Sequence, residues 1–503
     1  MLNKLSIAAL VVVGAMAVGC TGALEEIPHQ VGETLTTTIC LGAETKALDA
    51  AGVKTFAVGE RVALVYKNTG GATVKVESAA LTLVDITNEG KNAKFTFEVT
   101  EPDKAQDVTY IYPAAMAKSN GTVNYDALAM QDGTLETISG NLDLATYSAA
   151  WVDGVSLPSG NLENQLTIGE FTVKESAGST DITSSVTRLT IKNGSDIYTV
   201  TPSSLSTIRV IMKPVTTGDI TIYAAKGKEL YKKTVSGKTL AAGSIYPVNV
   251  TTTLVEGAVS GLFRIGDKLI YFSRGNLRAT YNYSGSSWSW AFATNQWSYV
   301  GNAAGNTTIN GNGTVSSTKN VTVDLFGWVG ASSSWTGVVQ YGISNSTTTT
   351  TTDSYSNKSN DALKSDWGNT IGPGWRTPSE DEFQGIFNNH TYGKATVNDI
   401  CGVIVIPYRT TVAGFDASKD SWSDNTYTSA EWTPLEAVGA VFLPAAGYRY
   451  ASTVTQAGEY GYYWSSTLKS STMPYNLKFG ENSFKSDSWD YRYYGASVRL
   501  VSE

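Results

Sequence analysis

The sequence predicts a mainly β protein of several domains, and three observations carry that expectation. At 503 residues the chain is longer than one hydrophobic core sustains. Charged residues make up 16% against 42% hydrophobics, with 48 glycines and abundant Ser and Thr, the profile of a secreted all-β protein. Helical periodicity is nearly absent. Short alternating runs divided by Gly, Asn, Asp and Ser take its place.

Residues 1–20 read as a signal peptide. Lys4 supplies the positive start, and Ile7–Val18 is an apolar run too short to span a bilayer. It ends in Ala17-Val18-Gly19-Cys20, small residues before a cysteine, which resembles a bacterial lipobox with Cys20 as the lipidated residue. Lipid then anchors the chain to the outer membrane, at the cell surface. Cys40 and Cys401 lie far apart and are expected as small packed residues, since two lone thiols make neither a disulfide framework nor a metal site. The net charge of −8 argues against nucleic acid, because phosphate contact needs a basic face.

Strands are expected over Arg61–Tyr66, Lys75–Asp85, Lys94–Val99, Val108–Tyr112, Thr167–Val173, Arg188–Lys192, Thr207–Lys213, Asp219–Ala224 and Tyr246–Thr252. Turn signals at Asn68–Gly71, Glu89-Gly90 and Asn193-Gly194 separate them. Within this region "FAVGERVALVY" (56–66), "YIYPAA" (110–115), "QDGTLETISGNLDLATYSA" (131–149) and "LAAGSIYPVNVTTTL" (240–254) follow one another. In that order they resemble the fimbrillin family of Bacteroidales pilus subunits, over residues 21–256. The resemblance implies two transthyretin-like β-sandwich domains, 21–155 and 156–256. It also implies fimbrillin partners joined by donor-strand exchange, after a protease removes the N-terminal strand. Arg61 is the first basic residue of the right sort for that cleavage, with Lys46 and Lys54 before it.

Near residue 256 the character shifts, and eleven of the twelve tryptophans lie beyond residue 280. "YFSRGNLRAT" (271–280), "WAFATNQWSYVG" (290–301), "DLFGW" (324–328), "GPGWRTPSEDEFQGIF" (372–387), "GAVFLPAAGYR" (439–449), "YYWSST" (462–467) and "GASVRLV" (495–501) resemble the C-type-lectin-like modules of Bacteroidales surface proteins. Residues 257–503 are therefore expected to form an α+β C-type-lectin-like domain. The same fold underlies formylglycine-generating enzymes and the variable proteins of diversity-generating retroelements. One clear helix is expected over Thr377–Asn389, capped by Thr377 or Ser379, with Phe383, Ile386 and Phe387 on one face. Ser344–Asp353, rich in threonine, is expected to be a mobile loop.

Little in the sequence supports catalysis. A Ser-His-Asp triad needs a histidine held by both partners. His29 lies in the leader region, and His390 ends the helix as a surface residue or a favourable C-terminal charge. Cys401 lacks the cysteine pair of the formylglycine-generating relatives, and no His/Cys cluster supports zinc. No cofactor is implied. For calcium, "WSDN" (422–425) resembles the Trp-Asn-Asp motif of calcium lectins. Its usual tripeptide companion is missing and "EWTP" (431–434) is a poor substitute, so "WSDN" reads as a solvated loop with one anchoring Trp and a calcium site is not supported.

The closing segment stands apart. Residues 446–495 hold nine of the 27 tyrosines, interleaved with Ser, Asn, Asp and Thr. Tyrosine offers broad amphipathic contact area with two χ angles to freeze, and Ser and Asn adapt their hydrogen bonds, as in antibody paratopes. Tyr448, Tyr463 and Trp464 suit a core. Ser486–Tyr494 has no aliphatic side chain and does not read as a core strand. "FLPAAGYR", "YWSS", "NLKF" and "GASVRLV" resemble the fixed pieces of retroelement-diversified proteins. The residues between them are then the ligand-binding set: Tyr450, Tyr460, Tyr462, Lys469, Thr472, Ser486, Asp487, Ser488, Asp490, Tyr491, Tyr493 and Tyr494. Tyr491, Tyr493 and Tyr494 are the expected anchors.

Together the resemblances imply a surface-anchored pilus subunit that caps the fibre tip and binds an unknown protein or glycan without making or breaking a bond. A structural shaft subunit, a glycan-capturing lipoprotein unconnected to pili and a formylglycine-generating-type enzyme are the other readings. The lipobox gives a first prediction. Cys20→Ala moves the protein from the detergent phase of a cell extract to the periplasm or medium. A variant that stays in the detergent phase with unchanged mass contradicts lipidation.

Overall fold

The computed structural model describes residues 32–41, 55–151, 156–301, 312, 320–328, 342 and 366–503. Cys20, His29, Lys46, Lys54 and the Ser344–Asp353 segment lie outside the described residues. The architecture is mainly β.

The first eight-stranded sheet runs in the order Thr73–Glu77, Ala63–Lys67, Asp107–Tyr112, Ala145–Ala150, Gly160–Asn164, Glu33–Leu41, Asn92–Val99, Ile86–Thr87. Period-2 alternation explains the inner strands. In Asn92–Val99 the residues Ala93, Phe95, Phe97 and Val99 point into a core shared with Tyr110, Tyr112 and Trp151. The expected strand Lys75–Asp85 is not continuous. Thr73–Glu77 is extended, but Leu83–Asp85 is a 3-10 turn. The backbone N–H and hydroxyl of Thr82 both donate to the Asp85 carboxylate, at 2.9 and 2.5 Å, giving this backbone a local alternative to the ladder. Gly160–Asn164 pairs with Ala145–Ala150 and with Glu33–Leu41, so the first sheet extends past residue 155. Leu157 and Leu162 fill its core.

The second eight-stranded sheet begins at Thr167. Its order is Ile208–Met212, Thr167–Glu175, Ile245–Leu254, Glu229–Leu240, Val215–Lys226, Arg188–Asn193, Asp196–Val200, Met130–Gln131. The last short strand comes from the first half of the chain. Ala114, Met116, Leu128 and Ile138 pack into the same core as Ile168, Leu189 and Ile222, which joins the two sandwiches.

Among the described residues beyond 257 are smaller sheets and two α-helices. A five-stranded sheet has the order Leu325–Phe326, Ala496–Ser497, Tyr460–Leu468, Pro474–Gly480, Ser483–Trp489. The expected helix is Glu380–Asn389. Ser379 caps it, the Ser379 hydroxyl and Glu382 carboxylate forming a reciprocal capping box, and Phe383, Ile386 and Phe387 are buried. Arg376 grips Glu382 bidentately at 2.5 and 2.6 Å. A second helix, Ser429–Ala437, contains the "EWTP" residues and is not expected from the sequence. Pro434 masks it in the sequence. A Thr428–Glu431 capping box and the buried Trp432 and Leu435, one turn apart, outweigh the lost backbone bond.

His390 is not a surface charge. Its Nδ1 lies 3.1 Å from the Ile386 carbonyl, and its Nε2 accepts the Arg264 backbone N–H at 3.0 Å. Burial lowers its pKa, so the ring is held neutral with its proton on Nδ1. Cys401 sits half-buried in the strand Ile400–Val405, as packing predicts.

The second sandwich and the C-terminal region share an interface built around Arg188. Its guanidinium is buried and donates to the Ser260 carbonyl (3.0 Å), Thr410 Oγ1 (2.8 Å) and the Val438 carbonyl (3.2 Å). Desolvation lowers its pKa to about 10, which still leaves it protonated at neutral pH. Tyr223 and Leu230 of the sandwich meet Leu262, Leu269 and Tyr271 around it. Arg188→Met strands the buried Ser260 carbonyl, at roughly 1–3 kcal/mol, and takes the donor from the part-buried Thr410 hydroxyl and Val438 carbonyl. The expected result is two separated unfolding transitions in urea where the native chain shows coupled ones. A single transition at an unchanged midpoint contradicts this.

Candidate functional site

Three strands and two loops, 469–473 and 490–494, place the expected ligand-binding residues. Tyr448–Tyr450 forms a hairpin with Thr453–Thr455, Tyr460–Leu468 runs through the five-stranded sheet, and Ser483–Trp489 is that sheet's edge. The loop 490–494 leads from the edge strand back to Gly495.

The tyrosines form one continuous cluster. Tyr491 and Tyr493 stack, with centroids 5.3 Å apart and planes 7° from parallel. Tyr493 meets Tyr494 edge-on at 5.1 Å, and Tyr450 contacts both, at 6.0 and 5.6 Å. Tyr494 then meets Tyr448 at 5.2 Å, Tyr448 meets Tyr462 at 5.1 Å, and Tyr462 meets Tyr460 at 6.2 Å. Edge-to-face and offset pairs of this kind each contribute about 0.5–1.5 kcal/mol beyond area burial. The cluster is graded in depth. Tyr450 and Tyr491 are 43% and 44% exposed, Tyr493 and Tyr494 are half-buried, and Tyr462 is 4% exposed.

Tyr462 is therefore a correction to the sequence reading. Its ring lies beneath the face and its hydroxyl donates to Gln456 Oε1 at 2.6 Å, so it supports the outer tyrosines rather than touching a ligand. The alternation of Tyr460–Leu468 explains why. Tyr462 and Trp464 share one face of the strand, and Tyr463 takes the other, against Leu477 and Phe479. Asp490 also turns inward. It accepts the Asn476 amide at 2.9 Å, and burial raises its pKa. Burial likewise raises the pKa of Tyr493 and Tyr494, with neighbouring tyrosines adding to the shift, so both keep their hydroxyl protons at neutral pH.

The remaining residues fall elsewhere. Lys469 places its ammonium 3.8 Å from the centroid of Trp489, a cation–π pair. Thr472 is half-buried, and its carbonyl accepts the Arg492 backbone N–H at 3.1 Å. Ser486, Asp487 and Ser488 lie on the edge strand, with Asp487 exposed, beside a depression also lined by Asn388 and Tyr392. The structure thus gathers the tyrosines into one patch and sets the Ser-Asp-Ser run along a sheet edge.

Sequence reasoning missed two participants. Lys478 lies across the strand from Tyr462 and stands over the rings of Tyr462 and Tyr460, at 4.9 and 5.7 Å. Trp489 is 42% exposed. Its place among small polar residues was the available signal, whereas a lone lysine in an alternating strand carries none. The "WSDN" run is structural. Trp422 is buried, and Asn425 spends its amide on the Lys394 and Asp416 carbonyls, at 3.0 Å each, and its oxygen on the Asp416 N–H.

Comparison with known proteins adds the following. Residues 403–501 match a family model described as a domain of unknown function, DUF8237. No curated protein sequence matches the chain. Among solved structures, a fimbrial assembly protein from Parabacteroides distasonis aligns with 52% of this chain and 99% of its own, at 9% identity and a TM-score of 0.25. A tip fimbrial protein from Porphyromonas gingivalis, with a C-terminal truncation, aligns with 40% of this chain and 82% of its own, at 9% identity and a TM-score of 0.19.

Two variants separate face from framework. Trp464 is fully buried and its indole N–H donates to the Phe326 carbonyl at 2.6 Å, so Trp464→Ala is expected to destabilise the C-terminal region by about 3–5 kcal/mol. Tyr493→Ala loses partly solvated ring contacts with Tyr450, Tyr491 and Tyr494 at the half-exposed rim and costs about 2 kcal/mol or less, below the Trp464→Ala loss. Calorimetric midpoints measure both. If Tyr493→Ala melts the region as badly as Trp464→Ala, the tyrosines are core and not a binding face.

Proposed function

We propose that this chain is a pilus tip adhesin, a surface lipoprotein that binds its ligand through the tyrosine patch of its C-terminal region. One observation carries the reading: an open cluster of tyrosines, half-buried to exposed, mounted on a buried framework. Contiguous exposed aromatic area of this kind marks an interaction surface, and buried Tyr or Trp anchors dominate the energy of such surfaces. The outer set is Tyr450, Tyr460, Tyr491, Tyr493 and Tyr494, with Tyr462 and Lys478 behind them. Ligand capture is recognition alone. His390, with both ring nitrogens bound to backbone groups, has no nitrogen left to act as a base.

Two features of the sheets support a place at the fibre end. Glu33–Leu41 lies between Asn92–Val99 and Gly160–Asn164, so its removal opens a slot for a neighbour's strand in donor-strand exchange. At the other end Ile245–Leu254 is locked between Thr167–Glu175 and Glu229–Leu240 and runs directly into the C-terminal region. A strand held in this way is not free to enter another subunit. The lectin-like identity of that region and the diversification of its tyrosine face belong to the same proposal. Gold-labelled antibody against residues 257–503 should mark fibre ends on intact cells. Uniform labelling along the shaft makes the chain a shaft subunit, and labelling of the cell surface without fibres makes it a lipoprotein unconnected to pili.

A further inference from the structure

The edge strand Ser483–Trp489 borders a second recess that the tyrosine patch does not use. Two depressions adjoin there. One, of about 520 Å³, is lined by Asn388, Tyr392 and residues 484–489. The other, of about 590 Å³, shares Tyr392 and Phe484 and continues to Lys419 and Asp420. Their common divide is the ring pair Tyr392–Phe484, with centroids 4.6 Å apart and planes 30° from parallel. Phe387 backs both rings, at 5.1 and 4.7 Å. The result is one open trench with an aromatic ridge across its floor and hydroxyl, amide and carboxylate groups along its rim.

The chemistry of the trench limits its occupant. Its charges are mixed in sign: Lys485, Lys394 and Lys419 stand against Asp487 and Asp420. Lys394 is already engaged by the Asp420 carboxylate and the Glu481 carbonyl. With two of its three lysines offset by aspartates, such a rim gives little net attraction to a phosphate or a polyacid. A peptide adding itself as a strand is also disfavoured. Asn476 and Lys478 pair with Ser488 and Lys485, so the single residue Leu477 stands opposite two, Ser486 and Asp487. This bulge at Ser486-Asp487, with Lys485 beside it, is a device that blunts an edge against further pairing. A ligand that suits both the ridge and the rim has apolar C–H faces and a girdle of neutral hydroxyls.

We propose that this trench is a second binding site, for a neutral oligosaccharide of several units. Sugar faces lie on Tyr392 and Phe484, and sugar hydroxyls bond to Asn388, Ser486 and Asp487. The site is independent of the tyrosine patch, and its failure leaves the adhesin reading untouched. The test is titration calorimetry of the whole chain with three tetrasaccharides, of β-linked glucose, α-linked glucose and N-acetylglucosamine. Saturable binding of at least one is expected. Asn388 and Asp487 are exposed, so Asn388→Ala and Asp487→Ala should leave the melting midpoint unchanged. Each should weaken binding by about tenfold, the loss of one or two hydrogen bonds. Tyr491→Ala should leave sugar binding as it is. The proposal is overturned if none of the three sugars binds, if binding survives both trench substitutions, or if Tyr491→Ala abolishes it. It is equally overturned if an extended peptide of alternating Thr and Val binds and the sugars do not.

Discussion

The closing run Gly495–Ser502 holds the C-terminal region together, and each of its residues is buried. Gly495 exchanges backbone bonds with Arg449 at 2.8 Å in both directions, and a Cβ there would stand 2.9 Å from the Leu325 carbonyl oxygen. Ala496–Ser497 joins Leu325–Phe326 to the five-stranded sheet. Val498 and Leu500 accept the N–H groups of Leu277 and Ser273, and Val501 pairs with Phe272 and Arg376. Between them Arg499 is fully buried and donates to Gln296 Oε1 at 2.8 Å, and Gln296 in turn bonds the backbone of Ala440 and Phe442. Burial lowers the Arg499 pKa to about 10, so the buried cation persists at neutral pH. Without Arg499 the buried Gln296 amide oxygen keeps a single donor among the described residues, the Phe442 N–H, and the Asn276 side-chain oxygen loses its contact with the guanidinium.

That run also fixes the tyrosine face. Tyr491, Tyr493 and Tyr494 come immediately before Gly495, and between them Arg492 is buried, its carbonyl accepting the Trp328 N–H at 2.7 Å. The loop alternates anchor and display within four residues. A face mounted this way loses little conformational entropy on binding, because its backbone is already set and each tyrosine has two χ angles to freeze. Beneath it Trp464, Tyr463, Arg492 and Arg499 are all buried.

The Arg188 interface makes the second sandwich and the C-terminal region mechanically continuous. Both ends of that region meet the sandwich. The chain leaves it at Leu254, and Glu503 returns to bond Lys232 through its carbonyl and Lys268 and Arg376 through its carboxylate. A pull on the tyrosine face is therefore passed to the sandwich through buried contacts as well as through one connecting peptide.

The sequence by itself determined the β class, most inner strands, the capped helix with its Phe383–Phe387 face, and the division between framework and displayed aromatics at Trp464 and Tyr493. These are local signals: period-2 alternation, a capping box, and a composition without aliphatic side chains. It also marked the exposed rim of the tyrosine patch, because tyrosines among Ser and Asp seldom make a core. Tertiary structure alone decided the rest. Tyr462 is drawn under the face because its strand neighbour Tyr463 points to the opposite core, and two tyrosines in succession cannot both be displayed. Ser486–Ser488 leave the patch for a sheet edge because pairing with Pro474–Gly480 governs their register, and that pairing is non-local. Arg188 reads as one more strand residue until the fold sets three acceptors from distant segments around it. Burial of a charge depends on what the whole chain places near it, and no window of neighbouring residues contains that information.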